Sequence, residues 1–462
     1  MNDNSRTEHL AAVLGEHPAV AEALVTADPE GPGVQARLVA DPRAARVLHR
    51  SAALEAAGRL GPLTWHEPAG ALRVAGLNRS ETDFLHRELF TDNAYFRHGI
   101  ALPPHAVVVD VGANIGMFTL RVARQSPGAR IIAVEPVAEL ADAVALNAEL
   151  HDVDATVLRC ALGRAEGETA FTFYPHNSVM SGRFADPDED LDVLKGYLLT
   201  GENAYQGTQL DRMAADRMTA RPRRVPVTTL TTVVHTHHLD RIDLLKIDVE
   251  KAEADVLDGI DDTVWPRIDR IVMEVHDVEG RLADVVARLR ARGFWTTTDQ
   301  DPRLTRTPCH NVYARRPDTD TAPVPTPVSD DGPTLRRLEE ELRRLTARRL
   351  PSATPPSRYT VVAALTGDHD PQPVARPTDT SPRVSVLARI WAQLFGPEAV
   401  RPDADFFDLG GDSLTAVRLM ATLESELGED ALTPDLIFTD PTFGALAAAV
   451  AASGAPERTA HR

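Results

Sequence analysis

The run Val107-Val108-Val109-Asp110-Val111-Gly112-Ala113-Asn114-Ile115-Gly116 constrains the fold more than any other stretch. Its β-branched residues are apolar on both alternating faces, which predicts a parallel strand buried on two sides. Gly112 and Gly116 allow close backbone approach, and the helix predicted over Met117–Arg124 presents unpaired N–H groups to a ligand at the carboxyl end of the sheet. The expected architecture is a doubly wound α/β domain with a nucleotide-type turn.

A dinucleotide turn would read G-x-G-x-x-G, whereas this one reads Asp-x-Gly-x-Asn-x-Gly, with Asp110 two residues before the first glycine. A carboxylate there suits a cationic amino-acid ligand better than a phosphate. One strand-and-helix unit later, Ile131–Val134 ends in Glu135, placed to accept hydrogen bonds from both ribose hydroxyls. Asp110, Gly112, Asn114, Gly116 and Glu135 therefore point to S-adenosylmethionine. The alternatives are a turn without a ligand, or one for NAD.

Two later stretches carry charge where a buried strand is expected. Leu244–Glu250 holds Lys246, Asp248 and Glu250 on alternate positions, and Ile271–Asp277 holds Glu274 and His276. Alternation places such groups on one side, where they need partners or a site. Methyl transfer is an in-line displacement that needs alignment and, for a protic acceptor, a destination for its proton. His276 is the first candidate for general base and Asp248 the second, with Glu274 or Glu250 orienting either; a paired charge network is the alternative. His235, His237 and His238 lack a convergent carboxylate, suit a helix C-terminus, and are assigned no metal.

With 462 residues the chain has room for about three domains. A net charge of −19 argues against nucleic-acid binding. Cys160 and Cys309 provide neither a disulfide framework nor zinc spacing. No apolar run approaches a membrane span and the N-terminus does not start like a signal peptide, so a soluble, cytoplasmic protein without membrane contact is expected.

Leu77 to Tyr313 resembles the FkbM-family methyltransferases in DVGANIGMFTL, AVEP, FTFYPHNSVMSG, DLLKIDVEKAEADVL and IVMEVHDVEGRL. The resemblance implies a Rossmann-like class I sheet, S-adenosylmethionine as cofactor and a hydroxyl oxygen as the usual acceptor. It also suggests that a helix starting near Ser80 and the segment Tyr95–Gly99 cover the cofactor; a plain packing helix is the alternative. Residues from about Pro175 to Arg224, with His176, Ser178 and Ser181, read as an acceptor-specific cap or else a surface loop. The family commonly places glycine where this chain has Lys251, so the local turn is expected to differ.

The flanks carry two further resemblances. EHLAAVLGEHPAVAEALVTADPEGPGVQARLVAD and, far downstream, the leucine-striped helix LRRLEEELRRL with ARRLPSATPPSRYTVV resemble the small C-terminal subdomain of nonribosomal peptide synthetase adenylation domains. The chain has three lysines, Lys195, Lys246 and Lys251, none of them in Thr334–Pro382 where that family places a catalytic lysine. A remnant there is expected not to adenylate, which leaves loading to an adenylating enzyme in trans.

Asp405-Phe406-Phe407-Asp408-Leu409-Gly410-Gly411-Asp412-Ser413-Leu414, set among helical patterns, resembles the attachment string of peptidyl or acyl carrier proteins. Ser413 would then carry 4'-phosphopantetheine, attached by a phosphopantetheinyl transferase. Asp403–Asp440 has ten acidic residues against one arginine, a face suited to basic partner surfaces.

The expected fold is thus α/β, with a small split α+β subdomain and a C-terminal four-helix carrier bundle. The expected division is 7–45 and 334–365 for the split subdomain, 60–316 for the methyltransferase and 383–454 for the carrier, with linkers 317–333 and 366–382. The expected reaction is O-methylation of a carrier-tethered aminoacyl or acyl group in nonribosomal peptide or hybrid polyketide synthesis. The alternatives are N-methylation, methylation of a free small molecule, or a non-catalytic carrier and docking module.

Overall fold

The computed structural model describes residues 3–28, 33–187, 189–191, 218–301, 304–305, 307–319, 332–365, 381–402, 404–407, 409–411, 413–428, 431–432, 436–437 and 440–453. Most of the linkers, Asp412 and residues 192–217 of the expected cap lie outside the described residues. The central sheet runs Trp295–Asp299, Cys309–Arg315, Arg270–His276, Leu244–Ile247, Val107–Val111, Arg130–Val134, Ala155–Leu158. Cys309–Arg315 is antiparallel to both of its neighbours, and the other six strands run parallel to one another. The order reverses beside Val107–Val111, the switch point where open α/β sheets bind ligands.

The valine run is apolar on both faces because helices cover both. Val108 shares a core with Met117, Leu120 and Leu140, while Val109 shares another with Val233, Val256 and Leu289. Buried Asn147 ties the first of these layers together. Its amide accepts from Ala75 N–H at 2.7 Å and donates to the carbonyls of Ala75 and Ile115 at 2.9 and 2.8 Å.

Three expectations about element ends are corrected. The strand from Leu244 stops at Ile247, and Glu250 and Lys251 turn away with φ of +47° and +70°. Strand alternation therefore does not place Asp248 and Glu250. The helix expected at Ser80 spans Arg79–His86 and is capped by Asn78, whose side chain accepts from Glu81 N–H at 2.9 Å. Arg221–Arg224, assigned above to the cap, begin the strand Arg221–Thr228, antiparallel to Gly167–Phe173. Pro222 and Pro226 argue against an inner strand, yet its other neighbour pairs only at Val227 and Thr228.

A separate three-stranded sheet is built from both ends of the chain: Val20–Ala27 and Val34–Ala40 pair antiparallel, and Arg358–Val361 adds parallel to the latter. The helix Leu335–Arg349 packs on it through Leu338 and Leu342, both fully buried. Truncating either to alanine would cost about 2–5 kcal/mol. Glu67 accepts the N–H groups of Leu335 and Arg336 at 2.8 and 3.0 Å, so a carboxylate sits on that helix's positive end. This joins the small sheet to the methyltransferase-like domain.

The C-terminal helices Pro382–Phe395, Ser413–Leu427 and Phe443–Ala452 close around fully buried Trp391, which meets Phe395, Phe406 and Phe443 edge-on at 5.1, 5.9 and 5.4 Å. Residues 429–430, 433–435 and 438–439, between the second and third of these helices, lie outside the described residues. Among the described residues no helix is long and apolar enough to cross a membrane.

Candidate active site

A cavity of about 910 Å³ lies at the carboxyl ends of the parallel strands. One wall is the glycine turn. Gly112 has φ +77°, and a Cβ there would lie 1.8 Å from the Asp248 carbonyl oxygen, so no larger residue fits. Asn114, at φ +50°, donates its backbone N–H to Glu135 Oε2 at 2.9 Å and its amide to Ser178 Oγ at 3.0 Å.

Glu135 lines this wall with its carboxyl group fixed, Oε1 accepting from Val137 N–H at 2.9 Å. Burial pushes its pKa up to about 7, although the two N–H groups pull the other way. Each oxygen keeps a lone pair beyond its backbone contact, which suits a vicinal diol. Ser178 in turn donates to Glu81 Oε2 at 2.7 Å, and its N–H bonds Glu81 Oε1. Glu81 therefore clamps the Asn78-capped helix to the cofactor wall. Its place in a first helical turn gave no sign of that.

Two predicted cofactor residues stand behind the wall rather than on it. Gly116 is a packing glycine: a Cβ there would meet Val144 Cα at 3.2 Å. Asp110 is fully buried, accepts from Thr119 Oγ1 at 2.8 Å and lies 3.4 Å from Lys246 Nζ. Sheet register causes this, because Asp110 and Lys246 are cross-strand partners. Lys246 also donates to the Gly112 carbonyl at 2.6 Å and pairs with Asp248 at 3.4 Å. Burial would lower its pKa, but Asp248 and Asp110 outweigh that and hold it above the ordinary value.

The opposite wall gathers acid groups. Asp248, Glu250 and Glu274 bring carboxylate oxygens within 4.8 Å of one another, as do the ligand atoms of Glu274, His276 and Cys309. Asp248 Oδ2 is already taken by Tyr95 OH at 3.0 Å and by Lys246. Tyr95 thus anchors Asp248 from beneath and does not line the cavity.

His276 departs from the expected free base. Its Nε2 faces Glu250 Oε2 at 3.1 Å and its Nδ1 faces Glu253 Oε1 at 2.9 Å. Carboxylate oxygens at both ring nitrogens favour a proton on each. Burial would lower the imidazole pKa, but Glu250, Cys309 and Glu253 outweigh it and hold the ring well above its ordinary value. Glu253, fully buried and backed by Arg281 at 3.2 Å, was not among the sequence candidates. Glu274 is raised well above the usual carboxylate range, first by burial and then by Cys309 and the neighbouring carboxylates.

Two other segments complete the cavity. Lys251 Nζ donates to Asp190 Oδ1 at 2.8 Å, while Tyr174 OH bonds Asp190 Oδ2 at 3.1 Å, which fastens the described part of the cap beside the acid cluster. Phe407 and Gly411, from the carrier-like bundle, also line the cavity, as does Arg336 from the split-sheet helix. Ser413 is the first residue of the bundle's second described helix. His235 and His238 are exposed and stand apart from both acid groups.

The sheet order and the glycine turn with its terminal glutamate define a Rossmann-like class I methyltransferase that uses S-adenosylmethionine, followed by a carrier for 4'-phosphopantetheine. Residues 110–295 match the methyltransferase FkbM domain and 385–450 the phosphopantetheine attachment site. The chain is 43% identical over 250 residues to the 31-O-demethyl-FK506 methyltransferase FkbM of Streptomyces tacrolimicus, covering 54% of this chain and 95% of that one. It belongs to the FkbM methyltransferase family. Over 97% of its length it is also 34% identical to the AMB antimetabolite synthetase AmbE of Pseudomonas aeruginosa, of which it spans 22%. Methyltransferase 1 of Beauveria bassiana is 33% identical over 46% of this chain and 81% of its own.

Proposed function

We propose that this chain transfers a methyl group from S-adenosylmethionine to a hydroxyl oxygen of an acyl or aminoacyl group held on the phosphopantetheine arm of Ser413, within a nonribosomal peptide or hybrid polyketide pathway. The observation that carries this reading is one cavity lined by Glu135, by the acid cluster and by the carrier residues Phe407 and Gly411. The similarity to a synthetase over nearly the whole chain, and to a methyltransferase whose name specifies an O-linked site, supports the same reading.

The cradle at Gly112 and the doubly anchored Glu135 fit the cofactor's nucleoside half, and the excess of carboxylates fits a cation. When bound, S-adenosylmethionine supplies a methyl carbon: the acceptor oxygen bonds to it as the carbon–sulfur bond breaks, the electron pair of that bond stays on sulfur, and the hydroxyl proton leaves to a base. Glu274 is the base in this proposal. It lines the cavity, whereas His276 faces carboxylates at both ring nitrogens and Asp248 is held by Tyr95 and Lys246. Lys246 positions Asp248 and the Gly112 turn together.

The split sheet is read as an adenylation-subdomain remnant that acts as a strut. Strands from both flanks of the methyltransferase meet in it, and Thr334–Pro382 has no lysine to catalyse adenylation. An adenylating enzyme or synthetase module loads the carrier in trans, after a phosphopantetheinyl transferase has modified Ser413.

Intact-protein mass spectrometry on pantetheinylated protein, loaded with a panel of hydroxyacyl and hydroxyaminoacyl groups, tests this. A one-methyl gain on the arm is expected, with fragmentation placing it on oxygen. Gain only on free thioesters, measured with Ser413→Ala, would overturn the tethered reading; a methyl on nitrogen would overturn the O-methyl assignment.

A further inference from the structure

Building on that tethered reading, we propose that Arg79 and Asp405 are the docking contact that seats this chain's own carrier on its methyltransferase, so that methylation proceeds in cis. Arg79 donates to Asp405 Oδ2 at 2.9 Å, with side chains only 18% and 14% exposed. A partly buried charged hydrogen bond fixes register far better than a solvated surface pair.

Both ends of the contact are built into their domains. Asp405 Oδ1 accepts from Phe407 N–H at 2.8 Å, holding the loop that brings Phe407 and Gly411 to the cavity. Ser413 follows Gly411 by two positions in the sequence and begins the helix Ser413–Leu427. Arg79 starts the helix on which Glu81 clamps Ser178, the residue bonded to Asn114 of the glycine turn. The carrier is thus seated on the same helix that closes the cofactor wall.

Charge selects the occupant. Asp405, which meets Arg79, belongs to a segment, Asp403–Asp440, with ten acidic residues and one arginine, the composition of a partner for a basic contact. Covalent connection then makes the chain's own carrier the most concentrated partner, without any further contact.

The test uses full-length holo-protein carrying a hydroxyacyl group, with single-turnover methylation followed by intact mass. The expected wild-type rate constant is independent of protein concentration over roughly a hundredfold dilution. Asp405→Arg should slow transfer to the tethered group by about tenfold or more, and Arg79→Asp combined with Asp405→Arg should recover most of the loss. Asp405→Asn, which keeps an oxygen for the Phe407 N–H, should give a smaller loss in the same direction. Unimpaired pantetheinylation of each variant reports an intact carrier. A wild-type rate in Asp405→Arg, or a rate constant that falls in proportion to dilution, overturns cis docking while tethered methylation stands. Methylation of the free thioester alone overturns both.

Discussion

The two walls of the cavity are made in different ways. The cofactor wall comes from one continuous strand, turn and helix plus Glu135, and its key carboxylate is held by two backbone N–H groups close in sequence. The acid wall is assembled from Tyr95, the turn after Ile247, the end of the Arg270–His276 strand and the cap, joined by side-chain charge pairs. Backbone donors position a group locally and independently of pH. A charge network positions it over long sequence distances, and every member then depends on the protonation of the others.

The comparison breaks most sharply if loss of one acid-wall residue leaves cofactor binding intact and removes chemistry. Glu274→Gln should lower kcat by about 10²–10⁴-fold, the usual worth of a positioned base, with the cofactor Kd unchanged. Equal loss of binding and rate would show that the two walls are not separable. A kcat within threefold of wild type would return the base assignment to Asp248.

The network predicts a pH-dependent stability that can be read at His276. His276 is held well above its ordinary pKa, so its stabilising charge is fully present below the unfolded value near 6.5 and is lost as pH rises through the folded value. His276→Gln leaves Glu250 and Glu253 without their shared partner, a cost of about 3–5 kcal/mol. Thermal melting of both proteins should show a large gap near pH 6 that narrows toward alkaline pH. A gap that is constant or widens with pH would contradict a doubly protonated ring.

On the other wall, Glu135 makes cofactor affinity the quantity that follows pH. Its pKa is raised to about 7, so the buried carboxyl sheds its proton only near neutrality and accepts from a ribose diol best above that pH. Cofactor affinity measured by calorimetry should rise as pH increases through about 7. Glu135→Gln should weaken binding by roughly 10–100-fold and flatten that dependence, consistent with loss of charge-assisted hydrogen bonds. A wild-type affinity that falls over the same interval would remove Glu135 from the ribose site.

These differences also set what the sequence could reveal. Val107–Gly116 and Glu135 were legible because the strand, the glycines and the acid follow local rules of periodicity and backbone conformation. Asp110 looked like a ligand because spacing alone does not show that Lys246 and Thr119 enclose it. His276 looked like a base because nothing in its own strand announces Glu253, brought to it by the following turn and helix. Resemblance suggested a covering role for Tyr95 and for the helix that holds Glu81; Tyr95 instead backs Asp248 outside the cavity lining, and the partners Asp248 and Ser178 lie far along the chain. The charged strand ends meet at one cavity, which they line together with the glycine turn, while roles among them depend on pairings that periodicity does not encode.

Lys251 offers the smallest and finest test. At φ +70° it holds a left-handed conformation that costs a side chain about 1–2 kcal/mol and that glycine adopts freely. Against that strain stands its bond to Asp190, a carboxylate only 5% exposed, while the second partner Glu189 is mostly solvated and adds little. Lys251→Gly trades strain for the lost pair, so stability should shift by no more than about 1 kcal/mol. What should change is order on the acid wall: faster hydrogen exchange across residues 174–191, and a severalfold loss of discrimination between acceptors at unchanged cofactor affinity. Lys251→Met, which keeps the stem and the left-handed strain but removes the charge, should loosen the same segment and also lower the melting temperature. Unaltered exchange in both variants would mean that the cap is held by its packing, leaving the lysine as a strained surface residue.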